Sequence, residues 1–134
     1  MIPKFRVWHH ELGRLMSVKC MFFQDSEIEE FELNDALMND YITAYPDEIE
    51  LMQSTGLKDK NGKEIFEGDV VRMRNPRDRR QIGMFQVVRV ANSPMLGLLD
   101  QKLTTEIFNL YEHMRNYYEV KGNIYENPEL LEDK

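Results

Sequence analysis

Five arginines within nine residues form the group of side chains that is best suited to bind a ligand. Guanidinium groups donate paired hydrogen bonds to phosphates and carboxylates, so such a group would bind a nucleic acid or an acidic protein surface. No aromatic residue lies between these arginines, although single-strand-binding proteins use aromatic side chains to stack on bases. The group therefore indicates a protein partner or a second copy of the chain first, and a nucleic acid as the alternative. Its members form the arginine cluster: Arg72, Arg74, Arg77, Arg79 and Arg80.

Acidic residues are concentrated elsewhere, in residues 25–50, which hold ten of them and neither lysine nor arginine. Because charge runs usually face water, this stretch is predicted to be a solvated face. The formal net charge of −7 argues against nonspecific duplex binding by the whole molecule, since such binding depends on neutralising phosphates. The uneven charge would instead steer a charged partner or hold two copies together. The arginine cluster would be extended by three lysines if their turn lies on the same side as the turn that carries the arginines. These lysines are Lys58, Lys60 and Lys63.

Residues with catalytic or metal-binding chemistry do not form a recognisable site in the sequence. Asp59 and Asp69 lie at turns, which explain a carboxylate there, and no base, nucleophile or metal ligand accompanies them. Cys20 lies in an apolar stretch typical of a buried thiol, and no pair of histidines has the spacing of a zinc site. We therefore predict no enzymatic activity, no metal and no cofactor. An enzyme that uses Asp59, Glu67 and Asp69 is the third hypothesis.

Length and composition predict where such a chain would act. A chain of 134 residues suits a single domain over residues 1–134. It has no apolar run near the roughly 20 residues that a membrane-spanning helix needs, and no hydrophobic signal segment follows Met1. A single cysteine forms no internal disulfide, which agrees with a reducing compartment. The sequence therefore predicts a cytoplasmic protein that makes no membrane contact.

Turn residues and short apolar runs predict mostly strands along the chain. An N-terminal hairpin is expected over residues 4–23, and an acidic loop with a short helix over 25–50, with Asn34 as its N-cap. A barrel-like core is expected over residues 51–99, because Asn61-Gly62 and Gly68-Asp69 are tight-turn sequences that precede valine-rich strands. Apolar side chains at helical spacing, with Thr104 or Thr105 as cap, predict a helix that is followed by a C-terminal strand, together over residues 103–134. These side chains are Leu103, Ile107, Leu110, Tyr111 and Met114. The predicted fold class is α+β, mainly antiparallel β, with a small SH3-like or barrel-like core and one or two short helices.

Glycine and asparagine turns recur with distinctive spacing in residues 51–71 and 120–131, and a tryptophan ends the first strand. The positions concerned are Trp8, Gly56, Asn61, Gly62, Gly68, Asp69, Gly122, Asn123, Tyr125, Asn127 and Pro128. Together these residues resemble the YopX family of phage and prophage proteins, and they are predicted to have structural roles. The resemblance implies an accessory protein in a bacterial host cell, with no reaction or ligand assigned to the family. It also implies an acidic residue after the tryptophan, where this chain has His9.

Overall fold

The structure is a computed structural model that describes residues 4–35, 40–89, 96–99 and 107–132. The chain divides into two compact units, Met1–Gln53 and Ser54–Lys134. Strand β5 (Ile49–Lys58) crosses this boundary, so its first half belongs to unit 1 and its second half to unit 2. A single domain over residues 1–134 stays a prediction. None of the described residues belongs to a helix that is long and apolar enough to cross a membrane.

Unit 1 is an antiparallel sheet with one apolar face. Besides β5 it contains β1 (Phe5–His9), β2 (Arg14–Gln24), β3 (Glu27–Asp35) and β4 (Asp40–Ala44), in the spatial order β4, β3, β2, β1, β5. A 3-10 turn over Pro46–Glu48 precedes β5. Alternate side chains of these strands bury the core of the unit, which is formed by Val7, Met16, Phe31, Leu33, Ala44 and Ile49.

The predicted acidic loop with a short helix over residues 25–50 is wrong. This stretch forms strands β3 and β4, a 3-10 turn and the start of β5. Phe31 and Leu33 alternate with Glu30, Glu32 and Asn34, which is the period of a half-buried strand, and β3 pairs with both β2 and β4. Asn34 therefore lies inside a strand and caps no helix. The helical positions expected at 37 and 38 lie outside the described residues.

Unit 2 contains a five-stranded antiparallel sheet beside a short hairpin. The hairpin joins the second half of β5 to β6 (Glu64–Phe66). The sheet has the order β10, β9, β8, β7, β11, formed by β7 (Asp69–Arg74), β8 (Ile82–Arg89), β9 (Leu96–Leu99), β10 (Ile107–Asn109) and β11 (Tyr118–Asn123). Among the described residues of this unit, 3-10 turns cover Arg79–Gln81, Glu112–Tyr117 and Pro128–Leu131. The core consists of Ile65, Val71, Met73, Phe85, Val87, Leu98, Phe108 and Tyr118.

The helix predicted after residue 103 is wrong in its described part, and residues 103–106 lie outside that part. Residues 107–109 form strand β10, and Glu112–Tyr117 is a 3-10 turn. Phe108 explains the difference, because it packs edge-to-face on Phe85 with ring centroids 6.0 Å apart, and a helix facing Ile107 and Tyr111 inward would not bury it. Pairing with β9 thus overrides the helical spacing. The mainly antiparallel β fold with short helical turns is confirmed.

Candidate functional site

Strand β7 directs two members of the arginine cluster away from the core. Val71 and Met73 are buried in the core of unit 2, so Arg72 and Arg74 project from the opposite side of the strand. The neighbouring strands place apolar side chains beside them, since Met84 is the partner of Arg72 in the register and Ile82 is the partner of Arg74. The side chain of Ile82 is 52% exposed.

The loop between β7 and β8 is held in shape by its own polar groups. The Asn75 and Gln81 side chains form a hydrogen bond of 3.0 Å, and the Asn75 backbone N–H donates to the Gln81 carbonyl at 3.0 Å. The backbone N–H of Arg77 donates to Asn75 Oδ1 at 3.1 Å. This network fixes the loop backbone while Arg77 and Arg79 extend into solvent.

Arg80 differs from the other arginines because it is engaged within the loop. Its Nη2 and Nε atoms contact the two carboxylate oxygens of Asp78 at 2.9 and 3.2 Å, and its guanidinium lies 5.6 Å from the centre of the Phe108 ring. The hydrogen bonds from the Arg80 side chain and backbone lower the pKa of Asp78. Asp78 also accepts the backbone N–H of Arg80 and begins the 3-10 turn. Arg80 therefore shapes the loop.

The other four arginines form no ion pair or hydrogen bond through their side chains with any described residue. Arg74, Arg77 and Arg79 are exposed, and Arg72 is half-buried. The name arginine face is used here for Arg72, Arg74, Ile82 and Met84, which share one side of β7 and β8, together with Arg77 and Arg79 of the loop that joins these strands. Ile82 and Met84 were not predicted from the sequence as members of this face, although strand alternation after Gln81 places them on the same side as Arg72 and Arg74.

One of the three predicted lysines borders this face. Lys60 Nζ lies 3.6 Å from a carboxylate oxygen of Glu119, which is the register partner of Arg72 on β11. Lys121 Nζ lies 2.9 Å from the other oxygen, and its hydrogen bond is the main reason that the pKa of Glu119 is lowered. Glu119 is thus surrounded by cations, and Lys60 and Lys121 extend the positive charge beside Arg72.

Asp59 connects the β5–β6 turn to a distant strand. The residue is 1% exposed, and its carboxylate accepts three backbone hydrogen bonds of 2.9 Å, from Asn61 and Lys63 in the turn and from Val120 in β11. The Lys60 N–H also donates to the Tyr118 carbonyl at 3.0 Å. Turn chemistry explains the first two bonds, whereas the bond to Val120 spans 61 positions and has no local sequence signal.

The second tight turn is joined to strand β8 and to the residue that follows β11. Gly68 has a φ of 89°, its N–H donates to Val87, and its carbonyl accepts from the N–H of Ile124, both at 2.9 Å. The buried Asp69 accepts the Phe66 N–H at 2.8 Å. Gly56 and Gly62 also have positive φ values, of 79° and 82°. These backbone conformations favour glycine.

The C-terminal motif residues form a compact turn after β11. The buried Asn123 accepts the backbone N–H groups of Tyr125 and Glu126, both at 2.9 Å. A Cβ atom on Gly122 would collide with the side chain of Asn127. Asn127 then precedes Pro128, which starts the last 3-10 turn.

Near the N-terminus, Trp8 is half-buried on β1, between Leu15 and Glu50 in the register. The next residue, His9, is 5% exposed, and its Nδ1 atom accepts the Leu12 N–H at 3.1 Å. An acidic side chain would accept the same kind of bond, so His9 supplies an acceptor where the resemblance implies a carboxylate.

These features define a small protein of antiparallel sheets whose glycine, asparagine and aspartate turns anchor one strand to another. A family model described as YopX protein matches residues 4–132, so the chain belongs to the YopX family. The structure is similar to the crystal structure of protein EF1440 from Enterococcus faecalis, with a TM-score of 0.67 and 28% identity over 98% of this chain and 99% of that chain. No curated protein matched this chain.

Proposed function

We propose that this protein is a non-catalytic binding module whose arginine face contacts an acidic surface of a protein. The observation that carries the proposal is the composition of that face. Arg72 and Arg74 lie beside Met84 and the half-exposed Ile82, the loop that joins these two strands carries exposed Arg77 and Arg79, and none of the four arginines forms an ion pair with a described residue. Arginine and methionine are enriched in protein interfaces, where an apolar centre is surrounded by polar groups.

A nucleic acid is the second candidate, because arginines on a hairpin that form no ion pair with a described residue also suit phosphates. Two observations favour a protein. Exposed Ile82 contributes apolar contact that a phosphate backbone does not use. Residues 54–134 carry equal numbers of acidic and basic residues, 13 of each, so unit 2 has no excess positive charge to attract a polyanion over long distances.

An enzyme that uses the motif carboxylates is the third candidate. Both oxygens of Asp59 accept backbone N–H groups, and Asp69 accepts one as well. Carboxylates committed in this way support the backbone, and a catalytic base needs a lone pair directed at a substrate. These bonds support a module without catalysis. Family membership supports an accessory role for a phage or prophage inside the bacterial host cell.

The proposal is tested by NMR titration of the 15N-labelled full chain. The first probe is a short peptide of alternating glutamate and leucine, and the second set is single- and double-stranded DNA and RNA oligomers. We expect the peptide to shift the amide signals of β7 and β8, and the double variant Arg77→Gln/Arg79→Gln to weaken that binding. Arg115→Gln is the matched control, because Arg115 is an exposed arginine outside the arginine face.

The titration separates the candidates. Absence of peptide binding at low salt would overturn the proposal. Oligomer binding that weakens with salt and is lost in the double variant would support the second candidate.

A further inference from the structure

The tip of the β2–β3 hairpin in unit 1 exposes two adjacent phenylalanines. Phe22 is 46% exposed and Phe23 is 62% exposed, while Met16 and Phe31 nearer the base of the same hairpin are buried. The turn itself is tight, because Asp25 and Ser26 both have positive φ values, of 53° and 69°. Two large exposed aromatic side chains that are adjacent in the sequence make this tip a candidate interaction surface.

The strand register contributes to this exposure. Phe22 pairs with Glu30 and Phe23 pairs with Ile28, so Glu29 lies between two register positions as a bulge. A bulge redirects neighbouring side chains and increases the local twist of the hairpin. The register thus departs from regular pairing at the two phenylalanines.

Charge defines what kind of partner fits this tip. Asp25, Glu27 and Glu29 surround it, and with Gln24 and Ile28 they line an open concavity of about 250 Å³. No lysine or arginine occurs between Lys19 and Lys58 in the sequence. The residues of the hairpin tip are Phe22, Phe23, Asp25, Glu27, Ile28 and Glu29. A partner of this surface must be basic and must offer apolar contact.

The arginine face meets both requirements on the same chain. Residues 1–53 hold 11 of the 24 acidic residues and only 4 of the 17 lysines and arginines, so the whole net charge of −7 belongs to unit 1. We infer that the hairpin tip of one copy docks on the arginine face of a second copy, with carboxylates against guanidinium groups and the phenylalanines against Ile82 and the arginine planes. This inference rests on the proposed function, because it names the occupant of the arginine face.

The geometry of such a contact has consequences for assembly. Two different surfaces of the same chain meet, so the contact is heterologous and builds open chains or closed rings. A hairpin tip buries less area than a standard stable interface, so the association is weak, and it depends on concentration and salt. Stacking of guanidinium groups on Phe22 and Phe23 adds a contribution that salt screens less.

Sedimentation velocity of the full chain over a range of concentrations and salt tests the inference. We expect self-association at low salt that diminishes at high salt. The variant Glu27→Arg/Glu29→Arg reverses the charge at these two positions of the hairpin tip, and Arg77→Glu/Arg79→Glu reverses the charge at these two positions of the arginine face. Each variant alone is therefore expected to lose at least about tenfold in association constant. Glu129→Arg and Arg115→Glu are single-site controls, each of which makes one charge reversal of the same sign at an exposed position elsewhere.

Mixing the two reversed variants gives the decisive result. The reversed tip of one is complementary to the reversed face of the other, and the unchanged tip of the second fits the unchanged face of the first, so the mixture is expected to associate more strongly than either component alone. A wild-type chain that stays monomeric at low salt, or a mixture that stays monomeric, would overturn the inference. If the acidic peptide still binds the arginine face in either case, the proposed function stands. Only the inference that a second copy occupies this face is then refuted.

Discussion

Replacement of Asp59 tests whether a single buried carboxylate holds the β5–β6 turn against β11. Asp59→Ala removes the acceptor of three backbone N–H groups. A hydrogen bond to a charged group contributes about 1.5–3 kcal/mol. In the variant, the N–H groups of the exposed turn residues Asn61 and Lys63 can bond to water instead. Only the Val120 N–H is then left without a partner, at the full free-energy cost of an unsatisfied donor. We expect a loss of about 3–5 kcal/mol in the free energy of unfolding, a large share of the typical 5–15 kcal/mol.

The variant Asp59→Asn separates the turn from the connection to β11. Its amide keeps one oxygen acceptor, but whichever way the amide is turned, its NH2 group faces at least one backbone N–H donor. We therefore expect an intermediate loss of about 1.5–3 kcal/mol. Asp47→Asn is the control, because Asp47 is exposed and undergoes the same chemical change.

Two measurements check this order of stabilities. Urea unfolding gives the free energy, and amide hydrogen exchange gives the local protection of Asn61, Lys63 and Val120. With Asp59→Asn we expect the protection of Val120 to fall most if the oxygen stays toward the turn. A variant within about 0.5 kcal/mol of wild type, with all three amides still protected, would refute the role assigned to Asp59.

Three further outcomes follow from the same structure. Gly122→Ala should cost about 1–3 kcal/mol in urea unfolding, because its Cβ collides with the side chain of Asn127, and part of that cost should be regained with Asn127→Ala. Asp78→Asn should remove the contribution that the ionised Asp78 carboxylate makes to loop order. The folded pKa of Asp78 lies below its ordinary 3.8, so this contribution is present above that value and is lost as pH falls through the folded pKa. NMR titration of the loop amides would show the loss in wild type and its absence in the variant. Tyr118→Phe should cost about 1–2 kcal/mol by leaving the Tyr111 N–H without its acceptor, and it should remove the tyrosine whose pKa burial raises above 10.0. Because that pKa is raised, Tyr118 stabilises the fold below about pH 10 and the contribution is lost at higher pH, so wild type should lose stability more steeply than the variant in alkaline unfolding.

The sequence was informative where structure is decided locally. Asn61-Gly62 and Gly68-Asp69 predict turns because backbone conformation and side-chain acceptors act within a few residues, and both turns are present. Strand β3 was missed because its many acids suggested a solvated loop, although Phe31 and Leu33 alternate with them. The register with β2 and β4 decides that outcome, and register depends on residues far along the chain.

The candidate site shows the same limit. The arginine cluster is visible as composition, but only the folded loop distinguishes Arg80, which is paired with Asp78, from Arg77 and Arg79, which form no ion pair with a described residue. The exposure of Phe22 and Phe23 was not predicted from the sequence either, because an apolar residue in a strand is normally expected to face the core. Exposure is a property of the assembled sheet.

The motif residues and the arginine face have separable roles. The hydrogen bonds of Asp59 and Asn123 and the close packing of Gly122 are directed into the backbone of unit 2, whereas the guanidinium groups of Arg77 and Arg79 face solvent. Changes to the motif should therefore reduce stability and leave the remaining folded fraction able to bind the acidic peptide. Changes to the arginines should leave the free energy of unfolding within about 0.5 kcal/mol of wild type and weaken that binding. A Gly122→Ala chain that stays fully stable but loses peptide binding would contradict this division, because it would place the ligand at the motif.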